Sequence, residues 1–385
     1  NTPAYFPEAN MRTALEDALG VPASSSNVTD ASHAIATKSV KVLDISNHSI
    51  TNTTGVTYFT ELEELYANNN DITFIDLQNA ANLRILDMHQ HENLLGFGTG
   101  DPSSSNHIVR LPSGCLQYID MSKTRLRNYA AAAFANKVAG TLETFIARDV
   151  YYTTNEAKFA FNSVPSVTTL TKLDYLDISG CDGTPVTIVT DLANMKSTLE
   201  YLDLSNQHMS ADGTDPALDG FTVLKTFKFN TQANWTNALT INNCPALTYV
   251  DVSGNVKMTG LMINNCGITS LNFPEETTLA SLVKLATLDV SNNPFTILTI
   301  PATPTTLTTI TASNCSSMTK ILAEHNASKL RYVTAQNCPV LTDITINGAD
   351  IYFQQQNNAF DATNKSTLVT LDLRNDLMST NYALD

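Results

Sequence analysis

An aspartate recurs at the same place in one short sequence pattern. The stretches LEYLDLSNQHM, LTYVDVSGNVKM and LATLDVSNNPF begin at Leu199, Leu247 and Leu285, and each has Asp at position 5 and Ser at position 7. Carboxylates stacked about 4.8 Å apart could act as an acid–base pair or hold a calcium ion. The aspartates at this position are Asp44, Asp87, Asp120, Asp177, Asp203, Asp251, Asp289 and Asp372.

Acid–base catalysis by two carboxylates requires that their environments differ. A repeated pattern gives each aspartate the same environment. We therefore interpret these aspartates as solvent-facing scaffold residues that hydrogen-bond to neighbouring repeats. No Ser/His/Asp or Cys/His catalytic pattern accompanies them. The sequence thus predicts no catalytic residue, no enzymatic activity and no cofactor.

The segment MHQHENL offers a second possible chemistry, because a His-x-His pair can bind zinc when a third ligand converges. Here His89 falls at exposed position 7, whereas His91 falls at position 9, whose side chain points inward. The two rings are expected to diverge, so we predict no metal site.

Tyrosine is frequent at position 3, and it could simply favour the strand. A row of Tyr beside Asp and Ser is also typical of recognition surfaces, because each ring joins a flat apolar face to a polar tip. We expect binding to centre on Tyr175, Tyr201 and Tyr249. The predicted ligand-binding residues are Tyr118, Tyr175, Tyr201, Tyr249, Tyr332, Asp120, Asp177, Asp203 and Asp251.

The pattern that positions these residues is L-x-x-L-x-L-x-x-(N/C)-x-L, the leucine-rich-repeat signature. Its apolar positions 4 and 6 alternate with 3, 5 and 7, so a short strand faces both the core and solvent. One repeat cannot bury enough apolar surface alone, and stability requires stacking. The thirteen starts are Val40, Leu62, Leu83, Leu116, Leu142, Leu173, Leu199, Leu224, Leu247, Leu285, Leu307, Leu330 and Leu368.

A second ladder of strands is predicted half a repeat away, where LTINNC (239–244) and LMINNC (261–266) match each other. The predicted fold is an α/β solenoid, a right-handed leucine-rich-repeat superhelix. Its parallel β-sheet is expected on the concave side and a mostly extended or irregular wall on the convex side.

The segment FPEANMRTALEDALG (6–20) predicts a helix that caps the first coil. Its apolar stripe comprises Met11, Leu15, Ala18 and Leu19, and Gly20 suits the stop. The predicted domains are a helical N-terminal cap, 1–39, and one continuous solenoid of about thirteen repeats, 40–385.

The cap, followed by VKVLDISNHSI and LEELYANNNDI, resembles bacterial extracellular leucine-rich-repeat proteins of the internalin kind. The resemblance implies a secreted or surface-anchored, non-enzymatic module that binds a protein or a glycan. Any signal or lipid anchor would lie upstream of residue 1. The alternatives are a glycan-active or metal-dependent site on the concave carboxylates, or a structural spacer.

The amino-acid composition limits the kinds of partner that the protein is expected to bind. The formal net charge is −15 and the 22 Lys and Arg residues form no cluster, so nucleic acid is not expected. No apolar run reaches the roughly 18 residues of a membrane span, and a monomer is expected.

The six cysteines include matched pairs, Cys244 with Cys266 and Cys315 with Cys338, which we predict to be free, buried thiols.

Overall fold

The computed structural model describes most of the chain, in ranges separated by gaps. These ranges are 6–20, 39–94, 96–99, 108–125, 137–150, 170–181, 192–207, 218–232, 234–271, 278–323, 329–347 and 370–374. The chain divides into two compact units. Unit 1 comprises residues 1–186 and 190–199, and unit 2 comprises 187–189 and 200–385.

Unit 1 contains a terminal helix and a ladder of short parallel strands. Leu43 pairs with Leu65 and Leu65 with Leu86, so equivalent positions of successive repeats lie side by side. The helix α1 is Ala9–Leu19, and the ladder strands are β1 (Val42–Asp44), β2 (Glu64–Tyr66), β3 (Ile85–Asp87), β6 (Tyr118–Asp120), β7 (Thr144–Ile146) and β8 (Tyr175–Asp177). The strands β4 (Gly98–Thr99) and β5 (Ile108–Val109) pair antiparallel, and single 3-10 turns occupy Val56–Tyr58 and Ala193–Met195.

Unit 2 alternates between sheets as the chain advances. One sheet contains β9 (Tyr201–Asp203), β11 (Thr226–Lys228) and β13 (Tyr249–Asp251). A second contains β10 (Leu218–Asp219), β12 (Ala238–Asn242), β14 (Gly260–Asn264), β15 (Thr287–Asp289), β17 (Thr309–Thr311) and β19 (Tyr332–Thr334). A third contains β16 (Ile297–Thr299), β18 (Lys320–Ala323), β20 (Asp343–Asn347) and β21 (Thr370–Arg374), and a short helix, α2, is Thr278–Ser281.

The consensus strands are short because they end at a left-handed turn. Residues at position 8 have φ near +55°, where Asn, Asp and Gly meet less steric penalty than other residues. The column contains Asn47 (62°), Asn69 (54°), Asn206 (53°), Asn292 (58°), Asn314 (56°) and Asn337 (56°). This turn redirects the chain after three to five extended residues, which is why the solenoid is built of short strands.

The side chain at position 9 points inward and donates a hydrogen bond that links successive coils. It bonds to the carbonyl oxygen at position 6 of the preceding coil. The pairs are Asn70 to Ile45 (2.9 Å), His91 to Ala67 (2.8 Å), Cys181 to Ala147 (2.8 Å), Gln232 to Leu204 (2.6 Å), Asn255 to Phe229 (2.7 Å), Cys315 to Val290 (3.4 Å) and Cys338 to Ala312 (3.1 Å). An amide or thiol at this position satisfies a carbonyl that would otherwise be buried without a partner.

The core of each unit is apolar. The residue at position 4 of each strand is buried, as Leu43, Leu86 and Leu202 are. The single tryptophan, Trp235, is fully buried and meets Phe229 edge to face, with ring centroids 5.5 Å apart. The predicted parallel solenoid, with an extended second ladder, is confirmed.

The N-terminal helix covers the first coil as predicted, but its buried residues differ from the predicted apolar stripe. Met11, Ala14 and Leu15 are buried, whereas Ala18 is exposed and Leu19 is half-buried. Gly20 ends the helix with φ 69°. The predicted use of Ala18 was wrong because the helix contacts the coil mainly through its first two turns.

One expectation about the ladders is wrong. All consensus starts were expected to stack in a single ladder, yet β15 pairs with β14 and not with β13. The long interval between Leu247 and Leu285 contains the strand β14, so the next consensus strand continues that second sheet. The two kinds of strand have the same apolar alternation, and either fits the same place in the ladder.

Candidate functional site on the exposed strand faces

The recurrent aspartates close the turns that end their strands. In the seven whose side chains the structure describes, which excludes Asp372, the carboxylate Oδ1 accepts a hydrogen bond from the backbone N–H two residues further on, which is an Asx turn. The pairs are Asp44 with Ser46 (2.9 Å), Asp87 with His89 (3.2 Å), Asp120 with Ser122 (2.8 Å), Asp177 with Ser179 (3.1 Å), Asp203 with Ser205 (2.9 Å), Asp251 with Ser253 (2.9 Å) and Asp289 with Ser291 (2.9 Å). This local bond explains why Asp recurs.

The serine at position 7 has a related role between coils. The hydroxyl of Ser122 accepts a hydrogen bond from the backbone N–H of Arg148 at 3.0 Å, and that of Ser291 accepts one from Ser313 at 3.0 Å. The Asp and Ser of the repeated pattern therefore serve the scaffold.

Three of the four aspartates predicted as ligand contacts are buried, which corrects the expectation that they face solvent. Asp177 is 2% exposed, and Asp203 and Asp251 are each 7% exposed. Side chains of the same face cover them: Arg148 Nε lies 2.6 Å from Asp177, Lys228 Nζ lies 3.9 Å from Asp203, and Asn230 donates to Asp251 at 2.8 Å. Asp120 is half-buried, and burial raises the pKa of its carboxyl.

In unit 1 two of the predicted tyrosines flank a threonine. Tyr118 pairs with Thr144, and Thr144 pairs with Tyr175, on three adjacent strands. Both rings are half-buried at the exposed face, and burial raises the pKa of Tyr118 to about 12. Arg148 extends from the middle coil and donates to the Tyr175 hydroxyl at 3.4 Å. We call Tyr118, Thr144 and Tyr175 the unit 1 triplet.

Unit 2 repeats this arrangement. Tyr201 pairs with Thr226, and Thr226 pairs with Tyr249, again on three adjacent strands. A cation from the middle strand accompanies it, since Lys228 Nζ lies 5.4 Å from the centroid of the Tyr201 ring. We call Tyr201, Thr226 and Tyr249 the unit 2 triplet. The threonine between the tyrosines is part of the same geometry, although it was not among the predicted contacts.

The expected centre of binding on Tyr175, Tyr201 and Tyr249 stays a prediction, because Tyr175 belongs to unit 1 and the other two to unit 2. Within unit 2 the predicted tyrosines do not share one sheet. Tyr332 is exposed on β19, in the sheet of β14 and β17, and its register partner is Thr309. It lies on that sheet because the consensus changes ladder before Leu285.

The two histidines of MHQHENL diverge as expected. His91 is fully buried and bonds to Ala67, while His89 is half-buried on the exposed face. His89 meets two aspartates instead, and one ligand atom each from Asp87, His89 and Asp120 lies within 4.8 Å of the others. Sequence reasoning missed this group because it paired His89 with its neighbour His91. The available signal was an Asp at position 5 in consecutive repeats, with a His two residues after the first.

No protein-family profile and no curated protein sequence matches the chain. Solved structures do match it. An internalin, inlF, of Listeria monocytogenes is 16% identical, with a TM-score of 0.38, over 99% of this chain and 97% of that one. The functional domain of InlJ, also of Listeria monocytogenes and described as including a cysteine ladder, is 20% identical, with a TM-score of 0.28. That match covers 88% of this chain and 64% of that one.

A third match is the mouse RP105/MD-1 complex, 16% identical with a TM-score of 0.34, over 87% of this chain and 63% of that one. Internalins, which the cap and repeats resemble, are thus among the matching structures. At these identities and TM-scores the likenesses do not bear on function, and the fold assignment stands on the strand register. Among the described residues, no helix is both long enough and apolar enough to cross a membrane.

Proposed function

We propose that this protein is a non-enzymatic recognition module that binds a protein ligand through the exposed faces of its short strands. The observation that carries the proposal is the Tyr–Thr–Tyr triplet, which is found in both units with a cation from the middle coil. We further propose that the protein acts outside the cell, as the sequence resemblance implies.

The triplet geometry suits the capture of a projecting side chain. Adjacent strands lie about 4.8 Å apart, so two tyrosines separated by one strand stand about 10 Å apart. The threonine between them is shorter than either tyrosine, so a ligand side chain placed above it can contact both rings. Tyrosine contributes large contact area at low cost in conformational entropy, and it is enriched in protein interfaces.

The rigidity of the surface also favours binding. The strands are held by the backbone ladder, and in unit 1 the ends of the two strands that carry tyrosine, β6 and β8, are fixed by Asp-closed turns. A surface that is already ordered loses little entropy when a ligand binds.

The aspartates support binding over glycoside cleavage. A pair of catalytic carboxylates requires one acid that gives up its proton to the substrate and one base or nucleophile. Asp177 and Asp203 are buried, and each is occupied by its own turn and by a neighbouring cation. These two groups serve to position Arg148 and Lys228.

The test is to select binders and then ask whether they need the triplets. A random peptide library displayed on phage is panned against the full chain, and the chain is also applied to a glycan array. Selected binders are measured against two double variants, Tyr118→Ala/Tyr175→Ala and Tyr201→Ala/Tyr249→Ala. We expect at least one double variant to lose about tenfold or more in affinity, the scale of an interface hot spot.

Tyr332→Ala is the matched control, since Tyr332 has the same residue type and repeat position on another sheet. Thermal unfolding of all variants shows whether the fold is intact. Binders that tolerate both double variants, or that lose equal affinity with Tyr332→Ala, would contradict the proposed surface. Glycan binding without peptide binding would contradict the protein ligand.

A further inference from the structure

Asp87, His89 and Asp120 form a compact group of metal-ligating side chains on the exposed face of unit 1. Asp87 and Asp120 are register partners on adjacent strands, and His89 follows Asp87 by two residues. His89 Nδ1 lies 2.6 Å from Asp87 Oδ1, and one ligand atom from each of the three residues lies within 4.8 Å of the others. All three side chains are half-buried, so the group is accessible from solvent.

The backbone holds these ligand atoms in place. Both aspartates end β-strands, and their Oδ1 atoms are oriented by the N–H groups of His89 and Ser122. The His89 ring is fixed at its far side, where Nε2 lies 3.1 Å from the amide nitrogen of Asn68. Because that amide donates to Nε2, the proton of a neutral ring is on Nδ1 and points at Asp87. These contacts place the three groups without help from a bound ion.

The charge of this group is not balanced as it is elsewhere on the strand faces. Asp177 is paired with Arg148, and Asp203 with Lys228. Among the residues that the structure describes, neither Asp87 nor Asp120 forms an ion pair with a lysine or an arginine. The two carboxylates are therefore close together in a half-buried site, and the side chain grouped with them is an imidazole. A bound cation would reduce the repulsion between the carboxylates.

We propose that Asp87, His89 and Asp120 bind one divalent transition-metal ion of the zinc type. Imidazole and carboxylate together suit Zn²⁺ and its neighbours, whereas Ca²⁺ requires six to eight oxygen ligands. Binding takes the tautomer in which Nδ1 is free: the ring loses the Nδ1 proton and takes one up from solvent on Nε2, the Asn68 amide turns so that its oxygen accepts that N–H, and the neutral ring coordinates the metal through Nδ1. The distance between Nδ1 and Asp87 Oδ1 must then open from 2.6 Å to about 3.3 Å, as metal–ligand bonds of about 2.0–2.1 Å in tetrahedral geometry require.

Three protein ligands leave at least one coordination position for water or for an acidic group of a ligand. The site lies beside the unit 1 triplet, because Tyr118 and Asp120 belong to the same three-residue strand. The metal proposal does not depend on the proposed function, because it is tested with the metal ion alone.

The test is calorimetric titration of Zn²⁺ into the full chain after removal of metals by chelation, compared with the variants His89→Gln and Asp120→Asn. We expect one ion per chain, and we expect each variant to weaken binding by about 100-fold or more. Loss of a residue that only orients a metal ligand already costs about 10–100-fold in metal affinity. Zn²⁺ should also raise the thermal midpoint of the wild type and not of the variants.

The matched control is Asp289→Asn, which changes an aspartate at the same repeat position with the same turn bond to Ser291. This variant should bind Zn²⁺ as the wild type does. The electronic spectrum of the Co²⁺ form distinguishes this site from the six thiols, since thiolate ligands give an intense charge-transfer band. The proposal is overturned if the wild type does not bind Zn²⁺ at about 1 mM, because an affinity weaker than this is far below that of a preformed site. It is also overturned by equal binding in both variants, or by a thiolate spectrum.

Discussion

His91 donates from Nε2 to the carbonyl oxygen of Ala67 at 2.8 Å, and it does so where the preceding coil uses Asn70 to donate to Ile45. The two residues differ at their second polar atom. Asn70 Oδ1 accepts from the backbone N–H groups of His48 and Ile50, whereas His91 Nδ1 has no hydrogen-bond partner among the described residues. His91 therefore makes the hydrogen bond to the preceding coil, but it lacks the two backbone N–H donors that the oxygen of Asn70 accepts from.

The pH dependence of stability should follow from this difference. Burial lowers the pKa of His91 below its ordinary value of 6.5, so the unfolded chain binds a proton more readily than the folded one. The contribution of His91 to the free energy of unfolding is present above pH 6.5 and decreases as pH falls towards the lowered pKa. Substitution His91→Asn should reduce the loss of stability between pH 7.5 and pH 5.

Urea denaturation at both pH values measures this effect, with His48→Asn as a control because His48 is not fully buried. An unchanged difference between the two pH values in His91→Asn would show that His91 is protonated equally in both states.

The Asp-closed turn should contribute to stability through its acceptor and not through its charge. Asp289→Ala removes the acceptor for the N–H of Ser291, and the free energy of unfolding should fall by about 1 kcal/mol. Asp289→Asn retains a carbonyl oxygen in the same place and should cost less. Denaturant unfolding compares the two variants, and an alanine variant as stable as the wild type would mean that the turn forms without its side chain.

The N-terminal helix should be required as an end cap. The Glu8 carboxylate accepts from the backbone N–H groups of Thr51 and Asn52 at 2.9 and 2.7 Å, while Met11 and Leu15 are fully buried. Deletion of residues 1–20 should therefore expose the apolar edge of the first coil and cause aggregation or loss of cooperative unfolding. Glu8→Ala, which leaves the helix in place, should lower the free energy of unfolding by about 1–3 kcal/mol.

Light scattering and thermal melts test the truncated chain. A truncated protein that remains monomeric and melts as the full chain does would show that the first coil needs no cap.

The cysteines should react in two classes. All six are free thiols, five of them buried and Cys115 half-buried. Burial raises the pKa of Cys181 to about 12, and the thiolate is the reactive form. Labelling of the native chain should thus be slow, with Cys115 the first to react. Unfolding without reductant should reveal six thiols, and a count of two or four would show that covalent bonds link the coils.

The sequence alone predicted the features that depend on local pattern. The alternation of apolar residues identified the strands. Gly20 marked the end of the cap helix. Each of these signals lies within about ten residues of the chain, where periodicity and backbone preference act directly.

Features that depend on neighbouring coils were not predictable in the same way. Asp177 is buried because Arg148, in the preceding coil, covers it. Asp87 and Asp120 meet only because β6 pairs with β3, although the strands β4 and β5 lie between them in the sequence. Such contacts depend on register across the sheet, and a pattern read along the chain does not contain that information.

The change of ladder at β14 has a consequence for how such proteins diversify. Since a half-repeat strand and a consensus strand occupy equivalent places in one sheet, gaining or losing a single half-coil shifts every later consensus strand to the other sheet. The residues at positions 3, 5 and 7 would then be displayed to a different side of the molecule with no change in their identity. An insertion or deletion of about eleven residues could thereby relocate an entire recognition surface in one evolutionary step, leaving the buried core pattern intact.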